Sequence, residues 1–232
     1  MKKVGIVGGI GPESTISYYH DIVYGVQERI GHPFYPPVSI ESIDLFEWVR
    51  LCDQKEMEKL ISFTVEAVGR LAASGCDFAI LAANTAHLIF DEVQEKSPIP
   101  LLSIVEACAE EAKRRGYQKV GLLGTKFTMQ NDFFKKAFTH RGIQVITPQE
   151  ADQEYISDKI YSDLVNEVVE PEVSVRFHQI ARQMQERDGI EALVLGCTEL
   201  PLVFREEEES SLPYLNTLKI HVESIVQEIV QE

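Results

Sequence analysis

Positive charge is scarce in this 232-residue chain: 22 lysines and arginines stand against 37 aspartates and glutamates, a net charge of -15. A phosphate backbone or an anionic lipid surface would be repelled, which argues against nucleic acid and membrane as partners. A small anionic substrate stays compatible, because a local pocket can oppose the global charge. Long apolar runs are lacking too. No window reaches the roughly 18 apolar residues of a membrane span. The opening MKKVGIVGG is too short in its apolar run and too rich in glycine for a signal peptide. Cysteine is sparse: Cys52, Cys76, Cys108 and Cys197 form no CxxC pair and no secreted-type framework. They read as thiols of a reducing cytoplasm, and no metal site is expected.

The chain is 44% hydrophobic, enough to bury a full core in one large α/β domain or two small ones. Apolar runs of strand length alternate with helical periodicity, which points to parallel sheets. Strands are expected at 3–9, 38–45, 78–83, 101–104 and 119–125. Helices are expected after the first glycine turn (Ile16, Tyr19, Val23, Val26 and Ile30 share a face), over 54–74 and near 106–115. EEEESS at 206–211 reads as a solvated loop.

A repeat runs through this alternation. KVGLLGT (119–125) parallels KVGIVGG (3–9), EALVLGCTEL (191–200) parallels DFAILAANTA (77–86), and PYLNTLKIHVESI (213–225) parallels PLLSIVEACAEEA (100–112). Val4 and Val120 stand 116 positions apart, Ala83 and Cys197 114, Pro100 and Pro213 113. Three matches at nearly one offset imply two similar Rossmann-like lobes with parallel sheets, related by a pseudo-twofold axis. The first lobe is expected over 1–103 plus 213–232, the second over 104–212. Ligands of such sheets bind at the carboxyl ends of the strands, so the site is expected in a cleft between the lobes.

The register sets Ala83 opposite Cys197, Asn84 opposite Thr198 and Thr85 opposite Glu199. A cysteine at a strand end before a turn and helix would feel amide dipoles that lower its pKa from about 8.5, making a base or nucleophile. The alternative is an inert buried thiol, the reading given to Cys52, Cys76 and Cys108.

GGIGPEST, ANTAH and GCTEL, in that order along the chain, resemble the aspartate/glutamate racemase family. There the middle motif usually reads CNTAH, and its cysteine and that of GCTE flank the substrate α-carbon. The resemblance implies a racemase of aspartate or glutamate that uses neither pyridoxal phosphate nor metal, and a homodimer. It makes Cys197 one acid/base and puts Ala83 in the place of the other. Alanine carries no proton. The chain is then an inactive or impaired variant with an engineered Cys-to-Ala change, or a natural one-thiol enzyme such as an arylmalonate-type decarboxylase. A third reading has another residue or a water serve the empty face.

Asn84, Thr85 and Thr198 follow the strand ends and could hold the substrate carboxylate or cap the next helices. Glu199 could accept from the substrate ammonium. Ile10 and Thr125 sit in the two glycine turns, with Ser14 just beyond the first. Arg50 and Lys126 are the cations considered for a distal carboxylate. Val165 stands where some relatives place a lysine, and His87 lies four residues beyond Ala83. The rival reading takes GGIGPES as a dinucleotide fingerprint, though it runs G-x-G-x-x-S. A solute-binding protein without catalysis is the other alternative.

Overall fold

The computed structural model describes residues 1–205 and 212–231; the 206–211 stretch, read above as a loop, lies outside the described residues. The chain divides into two compact units, residues 1–104 with 221–232, and residues 105–220. Each carries one four-stranded parallel sheet.

In the first unit β1 (Val4–Gly8) leads through α1 (Pro12–Ile30) to β2 (Val38–Ser42). Then come α2 (Leu45–Asp53), α3 (Met57–Ala73), β3 (Phe78–Leu81), a 3-10 turn over Thr85–Ile89, α4 (Phe90–Lys96) and β4 (Leu101–Leu102), after which α5 (Ile104–Arg114) carries the chain into the second unit. The second unit runs β5 (Lys119–Leu123), α6 (Lys126–Gln130), α7 (Phe133–Thr139), β6 (Gln144–Ile146), α8 (Glu150–Ser162) and a 3-10 turn over Leu164–Asn166. It continues with α9 (Pro171–Asp188), β7 (Ala192–Leu195), a 3-10 turn over Leu200–Leu202, β8 (Tyr214–Asn216) and α10 (Thr217–Val230). The strand orders, β2-β1-β3-β4 and β6-β5-β7-β8, are the same. The repeat read from the sequence is therefore a repeat of topology.

The central strands β1, β3 and β7 are buried along their whole length, as strands covered on both faces must be. The edge strand β2 is only partly buried. Helix ends follow local chemistry. Pro12 and Pro171 open α1 and α9, where the missing N–H costs nothing. Gly31 and Gly189 close them in the left-handed conformation.

Two expectations change. The strand at 214–216 pairs with β7, so it belongs to the second sheet, and the chain returns to the first unit only within α10. The helix expected over 54–74 is α3, and a further helix, α2, precedes it where strand was expected to end. Asp44 accepts hydrogen bonds from the N–H groups of Phe46 and Glu47 and starts α2 early. Lys55, at φ 57°, breaks the run before α3.

Gly9 also has a positive φ, 86°, and a methyl group there would collide with the carbonyl oxygen of Ile43. Gly31, at φ 71°, has open space around it. Gly31→Ala is therefore expected to cost about 1–2 kcal/mol, the left-handed penalty alone. Gly9→Ala is expected to cost at least about 2 kcal/mol more, from the added clash. Urea unfolding of the two variants checks this, and equal costs would show that the Gly9 turn relaxes freely.

Candidate active site

Both matched positions sit just beyond a central strand. The N–H of Ala82 donates to the carbonyl of Val7 at 3.0 Å, and the N–H of Gly196 to that of Leu123 at 2.8 Å. These bonds extend the ladders β1–β3 and β5–β7 by one residue and seat Ala83 and Cys197 at the carboxyl ends. In the second unit the approach is close enough that a Cβ on Gly196 would lie 2.9 Å from the Leu123 carbonyl oxygen. That is why glycine precedes the cysteine.

Cys197 is half-buried. Its thiol donates to Glu199 Oε2 at 2.8 Å, and the Thr198 hydroxyl donates to the same oxygen at 3.0 Å. Burial and the neighbouring carboxylate push the thiol well above its ordinary range, against the backbone N–H groups of Thr198 and Glu199, which act the other way. The expected lowering is thus overturned. Only a short 3-10 turn follows, Leu200–Leu202, with no α-helix to supply a dipole. At neutral pH Cys197 is a protonated thiol aimed at a carboxylate. Glu199 is engaged with that thiol, where the sequence suggested the substrate ammonium.

Ala83 is 8% exposed and belongs to a buried apolar cluster with Ile10, Ile43, Trp48, Leu51 and Ala86. Asn84 is buried, and its carbonyl accepts from the His87 N–H at 3.0 Å. Thr85 is half-buried and opens the 3-10 turn.

Several predicted site residues have structural employment. Ser14 Oγ donates to the carbonyls of Ala82, at 2.8 Å, and Gly11, at 3.1 Å, tying the start of α1 to the end of β3. Thr125 caps α6, accepting from the Thr128 N–H at 3.3 Å. Lys126 Nζ is 2.8 Å from Glu154. Arg50 is exposed, forks onto Glu47 through two bonds of 2.7 and 2.8 Å, and lies beside Gln54. The Gly9 N–H, which a pyrophosphate would use, donates to Thr15 Oγ1 at 3.0 Å.

The sequence reading did not find the partners of His87. Its Nδ1–H donates to the carbonyl of Ala83 at 3.0 Å, and its Nε2 accepts the Ile104 N–H at 3.2 Å. His221 Nε2–H donates to the Leu102 carbonyl at 3.1 Å, leaving Nδ1 to accept the Tyr18 hydroxyl at 2.7 Å. Two neutral imidazoles thus pin the β4–α5 connection. Burial pulls His87 down to about 4, and burial with the nearby His87 pulls His221 down to about 3. Spacing gave no sign of this, since Tyr18, His87 and His221 meet only through tertiary packing.

A family model, Asp/Glu/Hydantoin racemase, matches residues 7–225. The chain belongs to that family. It is similar to the broad specificity amino-acid racemase RacX of Bacillus subtilis, 32% identical over 150 residues that make up 62% of this chain and 63% of the relative. The chain thus spans somewhat under two thirds of that relative's length. It is also similar to a glutamate racemase of Aquifex aeolicus, 25% identical over 66% of this chain and 58% of the relative. The fold matches over the full length of both chains in an aspartate racemase homologue from Pyrococcus horikoshii, with TM-score 0.89 and 33% identity. A candidate Asp/Glu racemase from Yersinia pestis matches as completely, with TM-score 0.94 and 29% identity. These named racemases are isomerases. No helix among the described residues is long and apolar enough to cross a membrane.

Two outcomes are expected from these groups. Glu199→Gln removes the like charge beside Cys197, so the thiol should ionise at lower pH and alkylate roughly three- to tenfold faster at pH 8. Peptide mapping after brief iodoacetamide treatment reads this directly, and an unchanged rate would separate the thiol from the carboxylate.

The second concerns acid. An unfolded histidine takes its proton near pH 6.5, while His87 stays neutral to about 4 in the fold. Between those values the unfolded chain binds more protons, so stability is complete above 6.5 and falls as pH drops toward 4. At 1.36 kcal/mol per unit, His87 alone contributes on the order of 3 kcal/mol of that loss. Urea midpoints at pH 7 and pH 4.5 should differ strongly in the natural chain and less in His221→Gln. The same drop in both would show that the carboxylates, and not the imidazoles, carry it.

Proposed function

We infer that this chain is a cofactor-independent acid/base enzyme acting at the α-carbon of an amino acid, with Cys197 as its thiol and Ala83 in the place of a second one. The observation that carries this reading is the 2.8 Å contact between Cys197 Sγ and Glu199 Oε2 at a strand end. The named relatives are racemases of glutamate or of a broad range of amino acids, and the amino-acid α-carbon is what they share.

The resting thiol is protonated, so catalysis begins with its proton moving to Glu199. The thiolate then takes the α-proton, and the carbon's electron pair spreads into the substrate carboxylate. Asn84 and Thr85 supply neutral donors suited to that carboxylate, while the Thr198 hydroxyl donates to Glu199. Reversal returns a proton from Cys197 to the same face. Inversion needs a donor on the other face, and the methyl group of Ala83 gives none. The chain is thus a racemase impaired at one of its two steps.

A protonated thiol also favours a second reading. In an arylmalonate-type decarboxylase the thiol delivers its proton to the enolate left after loss of carbon dioxide. Release of carbon dioxide from phenylmalonate distinguishes that reaction.

The protein is expected to exchange the α-proton of one enantiomer with solvent while interconverting enantiomers very slowly. General acid/base groups contribute typically about 10²–10⁴-fold, so Ala83→Cys should raise racemisation by a similar factor. Proton NMR in D₂O with chiral chromatography follows both reactions. Equal racemisation before and after the substitution would mean that another group serves that face.

A further inference from the structure

We propose that Thr198 is a positioning residue for the proton transfer: its hydroxyl holds Glu199 Oε2 against the Cys197 thiol and keeps the proton on sulfur. The inference rests on the proton-transfer reading above and gives Thr198 a role through Glu199 in place of contact with the substrate.

Cys197, Thr198 and Glu199 are consecutive residues just past β7, and all three lie in the second unit. The Leu200 N–H donates to the Cys197 carbonyl at 3.2 Å, and the Leu202 N–H to the Glu199 carbonyl at 3.0 Å. Leu200 is fully buried and anchors the turn that these bonds close. The Glu199 side chain is thereby turned back toward the sulfur. A single oxygen, Oε2, accepts from the thiol at 2.8 Å and from the Thr198 hydroxyl at 3.0 Å. The hydroxyl caps no helix, since the 3-10 turn that follows Glu199 has no side-chain cap. The matching position in the first unit is Asn84, and a 3-10 turn follows there too, so such a turn does not call for a threonine.

A hydroxyl that donates to a carboxylate favours its charged form. Glu199 is then the weaker base, and the thiol proton is held back from crossing to it. Cys197 packs against the apolar cluster of the second unit, where a carboxylate short of donors would take up a proton more readily. Loss of the hydroxyl lets Oε2 draw the proton from Sγ. The pair carries one proton before and after, and a thiolate then stands beside a neutral acid.

The test uses the intact protein and Thr198→Val, which keeps the branched shape and removes the hydroxyl. Brief iodoacetamide treatment at pH 7 with peptide mapping reads the Cys197 thiolate. Thr198→Val is expected to alkylate about tenfold faster than the natural chain, the lower end for loss of a hydrogen bond to a charged group. Thr198→Ser is expected to keep the natural rate. In a Glu199→Gln background Thr198→Val is expected to change nothing, because the hydroxyl acts through the carboxylate. An unchanged or slower rate in Thr198→Val overturns the proposal. So does the same gain in the Glu199→Gln background, which would mean that the turn has merely opened, and so does a serine variant that behaves like the valine one. Exchange of the α-proton of both enantiomers of alanine and glutamate in D₂O reads the reaction itself. Thr198→Val is expected to alter kcat and to leave KM within about twofold. A KM raised about tenfold at unchanged kcat would put the hydroxyl on the substrate and overturn the proposal. If no amino acid exchanges its α-proton, the proton-transfer reading falls, and the alkylation rates still decide what Thr198 does at the thiol.

Discussion

One backbone hydrogen bond in each unit fixes where the residue beyond the central strand stands. The Ala82 N–H reaches the Val7 carbonyl, and the Gly196 N–H reaches the Leu123 carbonyl. Each bond carries a buried ladder one residue past its strand, and the next residue is then delivered to the open end of the sheet. The central strands are buried along their length, so this delivery is rigid. Ser14 reinforces it in the first unit by bonding the Ala82 carbonyl, and Thr217 does so in the second by bonding that of Leu195 at 2.8 Å.

The two ends so delivered differ in character. The first carries a methyl group in an aliphatic cluster, and the second carries a thiol paired with a carboxylate. That pairing works against ionisation at rest, because a thiolate beside Glu199 would place two negative charges within hydrogen-bond distance. The proton therefore stays on the thiol, which donates it in a hydrogen bond to Glu199. Behind the first end, His87 and His221 are neutral and fully bonded, so they hold the backbone without adding charge.

Much of the architecture was legible in the residues. Apolar runs such as KVGIVGG and EALVLGC announce strands buried on both faces, and their constant offset announces a duplicated topology. Boundaries were less legible. Asp44 captures two N–H groups and begins a helix where the apolar pattern still reads as strand, and Lys55 ends it through a backbone conformation that no periodicity encodes. The returning strand was assigned to the wrong sheet, because the pattern shows that a strand exists but not which neighbour it bonds. At the site, Cys197 and Ala83 stood out through their motifs. The roles of Thr125, Ser14, Lys126 and Arg50 did not, since each depends on a partner distant in sequence or on a local cap.

By itself, then, the sequence determined the strand-and-helix alternation, the repeat, the family and the matching of a thiol in one repeat to an alanine in the other. These follow from local composition and spacing, which are one-dimensional quantities. Tertiary structure alone decided the protonation state of that thiol, the employment of the cations and the union of Tyr18, His87 and His221. Each of these is set by burial and by groups brought within about 3 Å across the fold, where charge and hydrogen bonding act through space and not along the chain.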